Sequence, residues 1–198
     1  MKFLAFSDNH ASYMFTSKLI EQGKKADFLV AAGDFTHFGR FWKEFLTRLT
    51  ILELPLWVVS GNHEACNYKN LMKKISLEFP FVHDLESQPF SMNGVSFIGC
   101  SYMDSEDGVP FPSSSYGKPL VFVTHTPPSG CEAAMTENGK DGGSDRVRTF
   151  VEQIQPDLVL CGHIHKPLQR ESRIRKSRIT NIACECRLFQ FQSRVFLP

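Results

Sequence analysis

Five short apolar runs in this sequence are each followed at once by a residue whose side chain can bind a metal ion. These residues, with their neighbours, are Asp8-Asn9-His10, Gly33-Asp34, Gly61-Asn62-His63-Glu64, Thr124-His125 and Gly162-His163-Ile164-His165. Glycine comes directly before three of the polar residues, which permits a close approach of the backbone. Core packing alone does not require polar residues at five matching positions, so the pattern predicts a metal site built from five chain segments.

The apolar runs predict strands that are buried on both faces, because four to six consecutive apolar residues leave no polar face. The runs occupy residues 3–7, 28–33, 56–61, 120–124 and 158–162. Helical spacing is found at 13–23, at 38–52, at 67–77, and from a predicted N-cap at Ser144 to a break at Pro156. Alternating strands and helices make neighbouring strands parallel, and ligands bind at the carboxyl ends of such strands. We therefore expect the polar residues to meet at one edge.

The second half of the chain predicts more antiparallel structure. Asn93-Gly94 lies between two apolar runs and predicts a hairpin. Alternating apolar residues over 173–197 predict two or three more strands. Long segments rich in glycine, proline and small polar residues at 101–118 and 126–143 are expected to be loops, of a length that is often functional. The whole pattern predicts an α/β sandwich of mixed sheets with helices outside.

Composition narrows the classes of protein to be considered. The 198 residues fit one domain, 1–198, with 22 Lys and Arg against 21 Asp and Glu and a net charge of +1. A strongly basic nucleic-acid binder is not indicated, and no apolar run approaches the roughly 20 residues of a membrane span. The first residues turn polar too early for a signal peptide, and the six cysteines are scattered without a CxxC pair. These features predict a cytoplasmic protein.

In order and spacing, the five motifs resemble the calcineurin-like metallophosphoesterase family. The family pattern is D-x-H, then GD, then GNH followed by an acid, then H, then GHxH. The resemblance covers residues 1 to about 183, and the short chain is similar to the small, capless, phosphodiesterase-type members. It implies an αββα sandwich of two mixed β-sheets flanked by helices.

The resemblance also implies two divalent metal ions, each held by four residues. The first set is Asp8, His10, Asp34 and His165, and the second is Asp34, Asn62, His125 and His163. Asp34 then bridges, because a carboxylate has two oxygens to offer. Four imidazoles, two carboxylates and one amide suit first-row divalent ions, with manganese favoured and iron, nickel or zinc as alternatives.

The activity implied is hydrolysis of phosphoester bonds by in-line attack of a hydroxide that bridges the two metals. Asn62 and His63 are the catalytic residues of this assignment, and His63 faces the phosphate, where it stabilises charge or protonates the leaving oxygen. The substrate class implied is a small or cyclic nucleotide-like phosphodiester. A phosphomonoesterase, a nuclease and a non-catalytic scaffold are the alternatives. The nuclease is disfavoured because the chain lacks room for DNA-binding segments, and the scaffold because every expected ligand is present.

One feature departs from the family pattern, and the role of a second feature stays open. Protein phosphatases of the family carry Asp and then Arg where this chain has His37 and Phe38, which argues against that branch and leaves open how His63 is oriented. Residues 166–178 contain six basic residues and a single acid, Glu171. That stretch is either a basic surface that binds successive phosphate groups or the solvent-exposed face of a hairpin, and the second interpretation is favoured.

Overall fold

The computed structural model describes residues 1–102, 116–192 and 195–197, so most of the predicted loop at 101–118 lies outside the described residues. The strands are β1 (Lys2–Phe6), β2 (Phe28–Ala32), β3 (Leu56–Val59), β4 (Val82–Asp84), β5 (Phe90–Met92), β6 (Val95–Cys100), β7 (Leu120–Thr124), β8 (Leu158–Cys161), β9 (Glu171–Ile174), β10 (Ser177–Asn181), β11 (Cys186–Gln192) and β12 (Val195–Leu197). The helices are α1 (Tyr13–Gly23), α2 (Trp42–Leu49), α3 (Tyr68–Glu78) and α4 (Asp145–Ile154). In the described part of the chain, no helix has the length and apolar character needed to cross a membrane.

The strands form two six-stranded sheets, in the orders β12-β11-β1-β2-β3-β4 and β5-β6-β7-β8-β10-β9. The first sheet is parallel from β1 to β4, and β11 joins β1 antiparallel. The second is parallel from β6 through β7 and β8 to β10, with antiparallel pairs at both edges. The predicted pair of mixed sheets is confirmed.

Alternate residues of the central strands enter different apolar layers. In β1, Phe3 and Ala5 face the second sheet, whereas Leu4 and Phe6 face the helices α1 and α2. β7 divides in the same way between the layer shared by the sheets and the layer under α4. Burial on both faces explains the unbroken apolar runs and gives the αββα order of layers.

Helix boundaries follow local chemistry. Ser144 caps α4 as predicted, since its hydroxyl accepts the Val147 N–H at 3.4 Å. α2 is shorter than the predicted 38–52: it begins at Trp42, and residues 50–52 form a 3₁₀ turn. The reason is that Phe38 and Phe41 both take positive φ angles, of 51° and 61°, which an α-helix does not accept.

The expectation that the second half is more antiparallel is wrong for the interior of the second sheet. A chain crossover separates β6 from β7, and another, carrying α4, separates β7 from β8, so these strands run parallel. The region 173–197 also contributes to four strands rather than two or three, since β9, β10, β11 and β12 all fall within or overlap it. Sequence alternation indicates strands but carries no information on which partner each one finds.

Candidate metal centre

All seven predicted metal-binding residues lie at one edge, where the parallel strands of both sheets end. Backbone hydrogen bonds join the segments there: Asp8 N–H donates to Gly33 O at 3.2 Å, His10 N–H to Asp34 O at 3.0 Å, and Gly162 N–H to His125 O at 2.9 Å. Neighbouring strand ends are thus tied together within each sheet, from β1 to β2 and from β7 to β8. The structure thus brings the seven predicted ligands together.

Four of the seven residues have backbone angles that side-chain-bearing residues rarely adopt. The φ angles are 54° at Asp8, 45° at His10, 51° at Asp34 and 68° at His163. Left-handed backbone at such residues costs of order 1–3 kcal/mol each, and it persists only where the surrounding structure imposes it. Concentration of this strain in the predicted ligands marks the edge as a functional site.

Two motif glycines leave the space that the carboxylates occupy. A Cβ at Gly61 would lie 2.1 Å from Asp34 Oδ1, and one at Gly162 would lie 2.3 Å from Asp8 Oδ2. These distances are far inside van der Waals contact, so neither position accepts a larger residue without moving a carboxylate. The close approach predicted from the sequence is therefore confirmed at both glycines.

The first predicted set contains a direct carboxylate–imidazole contact. His165 Nε2 lies 3.1 Å from Asp8 Oδ1, and His10 Nδ1 lies 3.9 Å from Asp34 Oδ2. Ligand atoms of Asp8, His10 and His165 all lie within 4.8 Å of one another. A single ion can therefore reach these three donors together.

The second predicted set surrounds the amide oxygen of Asn62. Asn62 Oδ1 lies 3.0 Å from His125 Nε2 and 3.1 Å from His163 Nδ1. Asp34 Oδ1 lies 3.6 Å from the same His125 Nε2. Asp34 thus directs one oxygen toward each predicted set.

The protonation of His125 tests whether these donors fit a metal. His125 Nδ1 lies 2.9 Å from Ala32 O, and since a carbonyl only accepts, the neutral ring carries its proton on Nδ1. Nε2 then presents a lone pair to Asn62 Oδ1, which is also an acceptor. In addition, the buried Nδ1 of His10 finds no hydrogen-bond partner among the described residues. Converging lone pairs of this kind fit a bound cation.

The pKa values of the first set describe an ion pair in the metal-free protein. Burial is the largest influence on Asp8 and raises its pKa, but the lowering influences outweigh it, led by the hydrogen bond from His165, and the pKa falls to about 2. The hydrogen bond to Asp8 is the main cause that raises the pKa of His165.

Burial lowers the pKa of His10, in the first set, and of His163, in the second set. The lowered pKa favours the neutral imidazole, which is the form that binds metals.

His63 lies beside both carboxylate-bearing segments but is held by a different neighbour. Its Nε2 is 3.7 Å from Asp34 Oδ2, close enough that distance alone would allow it to act as a ligand with His10 and Asp34. Its Nδ1 accepts the Phe38 backbone N–H at 3.4 Å, and its ring stacks on the Phe38 ring. The neutral tautomer therefore carries its proton on Nε2, on the side of the site.

His37 does not take the place of the missing aspartate. Its ring centre is 5.7 Å from that of His63, and the hydrogen bond to His63 comes from Phe38 instead. The His37 backbone is engaged in a tight turn with Arg40. How His63 is oriented, which the sequence left open, is answered by the neighbouring phenylalanine.

Sequence reasoning gave no role to Glu64, the acid of the third motif. Its buried carboxylate accepts the backbone N–H groups of Asp34, Thr36 and Gly61, each at 2.9 Å. Burial, followed by the Asp34 charge, raises the pKa of Glu64 to about 7. Glu64 thus joins the second motif to the third, and its place directly after His63 was the signal that could have identified it.

Asn181 was also missed. Its side-chain amide nitrogen lies 3.0–3.2 Å from the carbonyl oxygens of Ala133, Gly162 and Ile164, which fixes the turn that carries His163 and His165. No sequence signal pointed to it.

The basic stretch at 166–178 is partly neutralised, because Arg170 pairs with Glu185 and Arg178 pairs with Glu171.

Comparison with known proteins agrees with the geometry. The sequence model of the calcineurin-like phosphoesterase family matches residues 1–167. An uncharacterized protein of Methanocaldococcus jannaschii is 25% identical over 163 residues, which cover 71% of this chain and 70% of that protein.

Solved structures share the fold. An archaeal phosphodiesterase superposes with a TM-score of 0.58 at 15% identity, covering 100% of this chain and 98% of the other. A dimetal phosphatase from Danio rerio superposes with a TM-score of 0.64 at 11% identity, covering 91% and 86%. The chain belongs to the calcineurin-like phosphoesterase family, whose members depend on a dinuclear metal centre, and it is a metal-dependent phosphoester hydrolase.

Proposed function

We propose that this protein is a cytoplasmic phosphodiesterase that acts on small or cyclic nucleotide-like diesters with two manganese ions. The observation that carries the proposal is the position of Asp34 between the two predicted sets. One of its oxygens lies 3.6 Å from His125 Nε2 and the other 3.9 Å from His10 Nδ1. A carboxylate directed both ways is suited to bridging two ions.

In this proposal each ion is held by the four residues assigned to it from the family pattern. The first set is Asp8, His10, Asp34 and His165, and the second is Asp34, Asn62, His125 and His163. Two such ions supply Lewis-acid activation of water and neutralisation of phosphate charge.

In this proposal His63 faces the phosphate and stabilises the charge that develops on the leaving oxygen, through a hydrogen bond donated by Nε2–H. Its Nδ1 accepts the Phe38 N–H, so the neutral ring keeps its single proton on Nε2. Full proton transfer to the leaving oxygen would require the imidazolium form, which carries a second proton on Nδ1. Asn62, the preceding residue, keeps its amide oxygen between His125 and His163. The tight turn from Gly61 to Glu64 fixes both side chains relative to each other.

A diester suits the surroundings of His63 better than a monoester does. Where an arginine would meet the second charge of a monoester, this chain has Phe38, 63% exposed, with Phe41 nearby at 55% exposed. A diester carries one negative charge and two organic groups, which match an apolar rim.

We also propose that residues 1–198 form one catalytic domain. Support comes from β11, which pairs with β1 over five consecutive positions, from Lys2 with Gln190 to Phe6 with Cys186. The strand that carries Asp8 at its end therefore depends on residues close to the end of the sequence.

The test is a substrate panel assayed with each metal separately. Phosphomonoesters, linear diesters and cyclic nucleotides are offered to metal-free protein reloaded with manganese, iron, nickel or zinc. We expect the highest kcat/KM for diesters with manganese. A clear preference for monoesters would overturn the diester assignment, and inactivity with every metal would overturn the catalytic proposal itself.

A further inference from the structure

A cavity of about 340 Å³ opens beside the predicted catalytic residues, between α2 and α3. Asn62 and His63 contribute to its wall, so the cavity borders the candidate metal centre. Its volume falls within the range of small-molecule sites, which begins at roughly 300 Å³. Neither the ligand sets nor the mechanism above uses this space.

The cavity wall is apolar over much of its area. It includes Trp42 from α2 and Leu71 from α3, with Phe38 at the mouth. Trp42 and Leu71 are only 9% and 5% exposed and belong to the apolar layer under the helices, so their positions are fixed by packing. Rigid apolar walls of this kind bind a flat ring or a short hydrocarbon group.

One cation lines the cavity away from the metal centre. Lys74 lies six residues beyond Tyr68, the first residue of α3, which is about 9 Å along the helix. Among the described residues it has no ion-pair partner, whereas Lys43 on α2 contacts Glu78 at 2.6 Å. Asn67, at the start of α3, adds a hydrogen-bonding group to the same wall.

We propose that this cavity binds the leaving group of the substrate and selects one that joins an apolar ring to a terminal carboxylate or phosphate. The argument rests on the proposed function, since a leaving oxygen that accepts a hydrogen bond from His63 must lie on the His63 side of the site. In this proposal the ring packs against the wall that Trp42 and Leu71 form, and the anion contacts Lys74.

The first experiment compares three aryl methyl phosphates whose phenyl leaving group carries a two-carbon tether. The tether ends in a carboxylate, a neutral amide or a trimethylammonium group, so the chemistry at the ester oxygen stays nearly constant. We expect the carboxylate ester to be preferred over the amide ester by about fivefold in kcat/KM, as one exposed charge pair allows. Lys74→Gln should remove this preference and Lys74→Glu should reverse it, while Lys73→Gln, on the neighbouring helix position, should retain it.

The second experiment needs no metal and no turnover. 3-Phenylpropanoate is titrated into metal-free protein carrying Trp57→Phe, so that fluorescence reports on Trp42 alone of the two tryptophans. We expect saturable quenching that Lys74→Gln weakens and Lys73→Gln does not.

The outcomes separate the two proposals. If no ester is hydrolysed but 3-phenylpropanoate binds in a Lys74-dependent way, the phosphodiesterase proposal fails and the binding site remains. If all three esters react equally, and Lys74→Gln changes neither the ratio of their kcat/KM values nor the fluorescence quenching by 3-phenylpropanoate, the cavity proposal is overturned while the phosphodiesterase proposal stands.

Discussion

The imidazole of His63 lies nearly parallel to the phenyl ring of Phe38, with ring centres 3.8 Å apart and 17° between the planes. The same phenylalanine donates its backbone N–H to His63 Nδ1. One residue therefore fixes both the plane of the ring and its tautomer. A left-handed backbone at Phe38 makes the two contacts compatible, which is the form of local strain expected beside a reacting group.

Replacing Asp34 by alanine should release both metal ions. Each other predicted ligand serves one ion, whereas Asp34 directs an oxygen toward each set. Elemental analysis of purified Asp34→Ala protein measures this directly. Asp27→Ala, just before the other end of β2, is the matched control and should keep two ions; one ion fully retained in Asp34→Ala would refute the bridging assignment.

His63→Ala should keep its metals and lose most of its turnover. Loss of the group that protonates the leaving oxygen or stabilises its charge costs about 10²–10⁴-fold in rate. Steady-state kinetics should show a smaller loss for nitrophenyl esters, whose leaving groups need little protonation, than for alkyl esters. His83→Ala, on the outer strand β4, provides the control. Equal losses for both kinds of ester would exclude proton donation while leaving charge stabilisation in place.

Phe38→Leu and His37→Ala form a matched pair on the same turn. Phe38→Leu keeps the backbone donor but removes the stacked ring, and should cost about tenfold in kcat, within the range of an aromatic pair. His37→Ala should cost less than about tenfold and keep both metals, because His37 makes no hydrogen bond to His63. In a His63→Ala background, Phe38→Leu should cost clearly less than it does alone, because only its contact with substrate is then lost; a fully additive loss would mean that Phe38 does not act through His63.

Glu64→Gln should loosen the centre without altering a ligand. An amide can accept through one atom only, so at least one of the N–H groups held at 2.9 Å loses its acceptor. A buried donor left unsatisfied costs about 1–3 kcal/mol. Isothermal titration should show weaker binding of both metals, and urea unfolding should show lower stability. Unchanged affinity for metals would limit Glu64 to a role in folding.

The Asp8–His165 pair should stabilise metal-free protein only within a pH window. The lowered pKa of Asp8 contributes stability that is present above its ordinary value of 3.8 and is lost as pH falls toward 2. The raised pKa of His165 contributes stability that is complete below 6.5 and is lost as pH rises through the higher folded value. Urea unfolding should therefore show the largest penalty of His165→Gln between these limits and a smaller one at pH 9. A penalty that is independent of pH would exclude the ion pair.

Local pattern was sufficient for the strands that deliver the candidate ligands. β7 spans the predicted 120–124 without change, and α1 spans the predicted 13–23, because an unbroken apolar run and a helical spacing of apolar residues are both visible in nearby residues. The order of strands in the second sheet could not be inferred from the sequence, because strand pairing is decided by contacts between segments that are distant along the chain. The contact between Phe38 and His63 was invisible for another reason: its donor is a backbone N–H, which every residue except proline has.

The antiparallel pairing of β1 with β11 has a consequence for the newly made chain. Until residues 186–192 leave the ribosome, β1 can pair only with β2, and its other edge stays open although both its faces are apolar. Open apolar edges invite pairing with other chains. The segment that carries Asp8 is thus synthesised well before the strand that protects its edge, and chains truncated before residue 186 should be prone to aggregation.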